Sequence, residues 1–330
     1  MGERVSVIAT VLNEEENIRR LLDSLAIQSR PPDKVVICDG GSTDHTLDIL
    51  RSYAREGKLP LRVIVQPGAN ISQGRNAAIT EAKGPIIAVT DAGVRLEPTW
   101  LAYMTTPFRE NPLAQVVSGF FAPDPQSPFE TALSATTLPL VADVDPIKFL
   151  PSSRSVAFRK QAWEAVGGYP EWVDYCEDLL FDLALRERYD PFTFAPQALA
   201  HFRPRPNLAA FFRQYYRYGR GDGKADLWRK RHAARYLTYL VVTPLLILLS
   251  LLHTPLWLLA FLAGGSIMFY TPCKRLLPMM RPLSFGERCQ AVGWVPFIRV
   301  TGDVAKMFGY PVGWRWRWSH SQCIPAHYLH

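Results

Sequence analysis

Up to residue 90 the chain alternates between two hydrophobic periods. Val5–Thr10 is an apolar run of strand length, and Val35–Cys38, Leu61–Val65 and Pro85–Thr90 repeat it. Between these runs the period lengthens. Glu14–Ile27 places Ile18, Leu21, Leu22 and Leu25 on one helical face, with Asn13 as a candidate N-cap. A second helix starts at Ser42 or Thr43, runs through Tyr53 and buries Leu47 and Leu50, and Ser72–Glu81 forms a third. The βαβαβαβ order predicts an α/β fold with a mainly parallel central sheet and helices on both faces. Such sheets bind ligands at the carboxyl ends of their strands.

The pattern changes character towards the C-terminus. From Tyr236 to Cys273, 38 residues contain no Asp, Glu, Lys or Arg. One bilayer-spanning helix needs about 20 apolar residues. The stretch therefore predicts a transmembrane helical hairpin, about 236–253 and 255–273, reversing at His253-Thr254-Pro255. Pro244 and the pair Gly264-Gly265 weaken each span a little. A buried helix pair of a soluble domain is the competing reading. Residues 283–310 alternate apolar and basic positions without reaching span length. The run Trp314-Arg-Trp-Arg-Trp318 suits a headgroup interface, or equally packing against the rest of the protein.

Charge sharpens this division. The 330 residues carry a net +7, but residues 1–200 hold 19 basic and 26 acidic groups. Residues 201–235 hold 10 basic and 2 acidic, and residues 236–330 hold 8 and 2. The basic groups bracket the apolar stretch, where anionic lipid explains them better than nucleic acid does, and no nucleic-acid partner is expected. By the positive-inside rule they place both outer ends of the hairpin on the cytoplasmic face. No apolar segment follows a basic start at the N-terminus, so a signal peptide is not expected. The five cysteines, Cys38, Cys176, Cys273, Cys289 and Cys323, have neither CxxC nor metal-ligand spacing and read as reduced thiols.

Chemistry gathers at the predicted strand ends. Asn13 and Glu14 follow the first strand, Asp39-Gly-Gly-Ser-Thr-Asp44 the second, and Asp91-Ala-Gly93 the fourth. Gly40 and Gly41 allow close backbone approach. There is no GxGxxG and no GxxxxGK[ST], which argues against glycine-loop pyrophosphate binding. A divalent metal on Asp91 would neutralise a diphosphate instead.

In this order the motifs resemble family 2 glycosyltransferases with the GT-A nucleotide-sugar-binding fold. Val7-Ile-Ala-Thr-Val-Leu-Asn13-Glu14, Cys38-Asp39-Gly-Gly-Ser-Thr-Asp44, Gly74-Arg75-Asn76 and Thr90-Asp91-Ala-Gly93 carry the resemblance. Val166-Gly-Gly-Tyr-Pro-Glu171, Glu177-Asp178 and Gln214-Tyr-Tyr-Arg217-Tyr218 continue it. It covers about residues 4–225, which would form the catalytic domain. Residues 226–282 would then be a basic collar with the hairpin, and 283–330 an interfacial tail.

The resemblance implies roles. Thr10, Asn13 and Glu14 would line the nucleoside pocket. Asp39, with Gly40 beside it, would accept from the base N–H, and Arg75 would meet base or phosphate. Asp44 would cap the following helix. Asp91 matches the first Asp of the metal-binding DXD, whose second Asp is here Gly93, and His201 could add a ligand to a bound Mg2+ or Mn2+. Asp178 would be the catalytic base, with Glu177 beside it, although two acids opening a helix also favour its dipole. Gln214 and Arg217 would hold donor or acceptor, and Gly219, Gly221 and Gly223 suggest a mobile stretch that closes over the donor.

The expected activity is an inverting, metal-dependent transfer from a nucleotide-diphosphate sugar to a lipid-linked or membrane-delivered glycan acceptor at the cytoplasmic face of a cell membrane. A polyprenyl-phosphate hexose synthase is the alternative enzyme. A non-catalytic sugar-nucleotide-binding membrane scaffold is the alternative of another class.

Overall fold

The computed structural model describes residues 3–325 and Tyr328, and divides into two compact units. Residues 1–124 and 141–203 make the first, and residues 125–140 and 204–330 the second. This division differs from a boundary at residue 225. The segment Leu208–Ala225, assigned above to the catalytic domain, is a helix of the second unit.

The first unit is built on eight strands: β1 (Val5–Val11), β2 (Lys34–Asp39), β3 (Leu61–Val65), β4 (Ile86–Val89), β5 (Val94–Leu96), β6 (Val116–Pro123), β7 (Val156–Arg159) and β8 (Thr193–Phe202). They form one sheet in the order β3-β2-β1-β4-β7-β6-β8-β5. The pairs β3–β2, β2–β1, β1–β4 and β6–β8 are parallel. Those of β4 with β7, β7 with β6 and β8 with β5 are antiparallel. The α/β fold is as expected. The sheet is parallel in the half that the βαβ pattern covered and mixed beyond it.

Helices α1 (Ile18–Ala26), α2 (Thr46–Glu56), α3 (Ile71–Glu81) and α4 (Trp100–Glu110) follow the early strands. After α5 (Pro128–Thr137), which belongs to the second unit, come α6 (Lys160–Ala165) and α7 (Glu177–Tyr189). Alternation along β1 feeds two cores. Val5, Val7, Ala9 and Val11 pack with α1, α2 and α4, while Ile8 packs with α3, α6 and α7. A strand buried on both faces must read as a continuous apolar run, and Val5–Val11 does.

Helix α1 begins four residues later than the apolar pattern suggested. Asn13 sits at φ 54°, in the left-handed region that asparagine tolerates, and turns the chain before the helix. Asp44 opens α2, its Oδ1 accepting from the Thr46 amide (3.0 Å) and hydroxyl (2.6 Å).

The second unit is helical: α5, α8 (Leu208–Ala225), α9 (Arg229–Leu237), α10 (Thr243–Leu252), α11 (Leu258–Met279) and α12 (Phe285–Ser319). Two stretches, Arg229–Leu252 and Pro255–Met279, are long and apolar enough to cross a membrane. A π-helical turn at Thr238–Val242 joins α9 to α10 just ahead of Pro244, so the proline costs the span little. The tail does not break up. It is one 35-residue helix, α12, opened by a capping box between Ser284 and Glu287.

Glycines decide how α8 and α12 meet. A Cβ on Gly219 would lie 2.7 Å from the Lys306 carbonyl oxygen, and one on Gly223 2.2 Å from that of Tyr310. On the facing helix, Gly309 and Gly313 would meet the carbonyls of Tyr216 and Arg220 at 2.1 and 1.9 Å. The run Gly219, Gly221, Gly223 is therefore a buried part of a helix and not a mobile loop. Gly219 and Gly223 bring two backbones into contact, the arrangement small-xxx-small helices use.

Gly313→Ala is expected to lower the stability of the detergent-solubilised chain by about 1–3 kcal/mol, since backbone and not a flexible side chain blocks the new methyl. Gly293→Ala, which meets no atom within 4 Å, should be neutral or stabilising by up to about 1 kcal/mol. Thermal unfolding of the pair checks this.

Candidate active site

Two strand-end loops are knitted together by short hydrogen bonds. The Asn13 amide donates to Ser42 Oγ (2.9 Å), and the Thr43 amide donates to Asn13 Oδ1 (2.9 Å). One step on, the Glu14 amide donates to Thr46 Oγ1 (2.8 Å). Asn13 and Glu14 thus hold the first loop on the second.

Asp39 is fully buried at the end of β2. Its Oδ1 accepts from the amides of Gly41 and Ser42, both at 2.8 Å. Gly41 must be glycine, because at φ 99° its Cβ would also press on Pro67 at 3.0 Å. Asp39 Oδ2 is buried with no hydrogen-bond partner. A buried acceptor of this kind is costly unless a ligand donor reaches it. Gly40 sits beside it, its amide donating to the Val11 carbonyl (2.9 Å).

The consecutive residues Gly74, Arg75 and Asn76 do three different things. A Cβ on Gly74 would lie 2.8 Å from Thr10 Cγ2, so glycine lets α3 settle on the end of β1. Asn76 ties α3 to the loop before α7. Its Nδ2 donates to the Tyr169 carbonyl (2.9 Å) and to Glu171 (2.8 Å), and its Oδ1 accepts from the Tyr169 amide (2.9 Å).

Arg75 is the node. Its side chain is 2% exposed; Nη1 donates to Glu177 Oε1 at 2.8 Å and Nη2 to Asp91 Oδ1 at 3.0 Å. Tyr169 lies beneath it, with the guanidinium 5.2 Å from the ring centroid. Two motifs more than eighty positions apart in sequence therefore meet on one side chain. Burial alone would weaken the hold of Arg75 on its proton, but the charges of Asp91 and Glu177 outweigh it and raise the pKa.

The two acids that open α7 have different environments. Glu177 is buried and locked to Arg75. Burial first, then the charge of Asp178, pushes its pKa up to about 7, against the pull of Arg75. Asp178 is half-buried, and its Oδ1 accepts from the Leu179 amide (2.8 Å). One turn further on, Asp182 is buried, and burial with the charge of Asp178 raises its pKa well above the usual carboxylate range.

His201 is on β8, paired with Arg95 of β5, and its Nε2 lies 2.7 Å from Glu97 Oε1. The next residue, Phe202, stacks under Arg154, whose Nε is 3.8 Å from Asp91 Oδ2. Successive strand residues point to opposite faces, so His201 is turned away from the Asp91 side. Gln214 and Arg217 belong to the second unit, on α8, where Gln214 Nε2 donates to Tyr218 Oη (2.8 Å). Sequence reading gave no role to Arg154, Asn76, Tyr169 or Asp182. Asn76 and Tyr169 stood inside quoted motifs. Arg154 lies in a loop-rich stretch whose only signal is an arginine among serines.

Residues 6–161 match the Glycosyl transferase family 2 model. Residues 6–161 thus form a glycosyl transferase family 2 domain. Succinoglycan biosynthesis protein ExoA of Rhizobium meliloti (strain 1021) is 27% identical over 257 residues, covering 72% of this chain and 75% of that protein. Validoxylamine A glucosyltransferase of Streptomyces hygroscopicus subsp. limoneus is 32% identical over 129 residues, 38% of this chain and 28% of that protein. The match thus spans under a third of the latter relative. In fold, the chain is similar to the mannosyltransferase PcManGT from Pyrobaculum calidifontis, solved with GDP-Man and Mn2+ (TM-score 0.62, 20% identity, 93% of this chain and 88% of that one). It is also similar to S. aureus TarS solved with UDP-GlcNAc (TM-score 0.50, 17% identity, 96% and 92%).

The donor set of this site does not fit a divalent cation. Magnesium can be held by one or two carboxylates with substrate phosphates. The carboxylate at the position of the first DXD Asp, Asp91, has one oxygen hydrogen-bonded to Arg75 (3.0 Å) and the other 3.8 Å from the Arg154 guanidinium. A dication there would face two fixed positive charges. Gly93 supplies no side chain and His201 faces Glu97. Among the described residues no three His, Cys, Asp or Glu side chains gather to hold a metal ion.

Removing Arg75 leaves two carboxylates uncompensated, so Arg75→Met is expected to cost about 3–5 kcal/mol in denaturant unfolding. Glu177 gives a pH signature. Its folded pKa, about 7, lies above its ordinary 4.5. The native state therefore binds the extra proton between these values, and this contribution is full below pH 4.5 and lost as the pH rises through 7. Glu177→Gln should flatten the fall in Tm across that window, read by thermal unfolding from acid to neutral pH.

Proposed function

We propose that the protein is an inverting glycosyltransferase. It would move a sugar from a nucleotide-diphosphate donor to a hydroxyl on a lipid-linked or membrane-delivered glycan. The observation that carries this is the Arg75 bridge, which sets the Asp91 strand end and the Glu177-Asp178 helix start around one cation. Asp39 Oδ2, buried without a partner, suits the N–H of a nucleobase. The family likeness gives Gln214 and Arg217 a donor- or acceptor-holding role.

Inversion needs an acceptor oxygen deprotonated as it attacks the anomeric carbon in line. Glu177 cannot do this, because it is buried against Arg75. Asp178 is half-buried and uses one oxygen to cap its own helix, which leaves the other for the acceptor proton. The environment thus separates two adjacent acids into an orienting group and a base.

Membrane attachment is part of this reading. The hairpin exposes Leu251 and Leu252 at 77% and 78%, and Ile267 at 80%. An apolar surface of that kind is costly in water and ordinary in lipid. Basic residues at 229–231 and 274–275 flank its outer ends and favour a cytoplasmic orientation for both. Succinoglycan biosynthesis, named for the ExoA relative, supports a glycan acceptor.

Asp178→Asn should lower kcat by about two to four orders of magnitude while donor affinity stays within a few-fold. Labelled-sugar transfer with the membrane fraction reads this. Full retention of kcat would point to an acceptor that is already an anion, the polyprenyl-phosphate reading. Failure of wild-type protein to transfer from any common sugar nucleotide would point to the scaffold.

A further inference from the structure

We propose that Arg154 contacts the donor's diphosphate and supplies, with Arg75, the positive charge that a metal ion would otherwise bring. The proposal rests on the reading of this site as one that takes a nucleoside diphosphate. It starts from the mismatch between the site's donors and a divalent cation.

Arg154 is built into place. Thr90 Oγ1, at the end of β4 and next to Asp91, donates to the Arg154 carbonyl at 3.1 Å. The Ser152 hydroxyl accepts from Arg154 Nη1 at 3.1 Å, and the Ser155 amide donates to the Ser152 carbonyl at 2.9 Å to close a turn over residues 152–155. The guanidinium lies 4.4 Å from the Phe202 ring centroid and 5.9 Å from that of Phe121, so two aromatic faces fix its plane. Its Nε faces Asp91 Oδ2 at 3.8 Å. The side chain is 24% exposed, so it is held by the protein yet reachable from outside.

This is where a diphosphate needs charge. Two fixed guanidiniums flanking Asp91 match the charge of one dication, and a planar fork suits phosphate oxygens. A guanidinium held by aromatic rings and a short turn requires little reorganisation when charge develops on the leaving diphosphate. The absence of an acid at position 93 is not forced by crowding. A Cβ there would meet no atom within 4 Å, so there is room for a carboxylate the chain does not carry.

The test is calorimetric binding of UDP and GDP to the full chain in detergent, with EDTA and separately with MnCl2, alongside UMP and GMP. The expected result is binding of one diphosphate with equal affinity in EDTA and Mn2+. Arg154→Ala should weaken that diphosphate more than tenfold and leave the matching monophosphate within twofold. Arg154→Lys should fall between, which guards against a folding defect in the alanine variant, as does an unchanged Tm. Adding Gly93→Asp to Arg154→Ala should restore binding only with Mn2+. Binding by wild type that requires Mn2+, or an equal loss for mono- and diphosphate in Arg154→Ala, overturns the proposal and leaves the nucleotide site standing. No binding of any nucleotide under either condition overturns both.

Discussion

A buried arginine between two carboxylates organises the first unit. Arg75 is taken out of water entirely, and an isolated guanidinium in that position would be very unfavourable. It is tolerated because Asp91 and Glu177 are brought to it. That requires β4 to end where it does, α3 to lie close on β1 over Gly74, and α7 to begin at Glu177. The loop at Gly168 and Tyr169 is held to α3 by Asn76, and Tyr169 places its ring under the guanidinium. Residues distant in sequence are thus fixed by one electrostatic requirement. Asp178 is placed at the same rim by being the next residue after a locked one.

The second unit depends on a steric constraint instead. Helices α8 and α12 approach backbone to backbone because glycines face each other's carbonyls. Ion pairs then tie the start of the first apolar stretch to this pair and link the two helices to each other. Asp222 meets His232 (3.2 Å) and Lys306 (3.3 Å), and Asp303 meets Arg235 (2.6 Å). Basic residues that flank the apolar stretch, Arg235 among them, are thus in part internal partners of these acids.

What could be read from the sequence follows from what is local. The first four strands and three helices were visible because β1, β2 and β4, buried on both faces, are continuously apolar, the edge strand β3 is a short Val- and Ile-rich run, and an amphipathic helix repeats by turns. Asp39 and Asp91 were visible because they follow apolar strand runs, whereas the roles of Arg75 and the Glu177-Asp178 pair came from the resemblance to family 2 glycosyltransferases. The start of α1 was not, because the left-handed turn at Asn13 has no apolar signature. Nor was the meaning of Gly219, Gly221 and Gly223, since glycine serves flexibility and close packing equally, and only the facing helix decides. Whether His201 faced Asp91 depended on strand register and side-chain alternation across β5 and β8. Arg154 owes its place to Phe121, Phe202 and Ser152, no two of which form a motif with it.

The central claim is that the strand-end rim is a nucleotide-sugar site, and Asp39 offers the most direct test. In Asp39→Asn the oxygen that accepts from Gly41 and Ser42 is kept, while the buried, unpartnered acceptor becomes a donor. The measurement is thermal unfolding of the full chain in detergent across a panel of UDP-, GDP- and dTDP-sugars. The account predicts a rise in Tm for donors of one base in the wild type, lost in Asp39→Asn while the unliganded Tm is kept. No rise with any donor, or the same rise in both proteins, would contradict it.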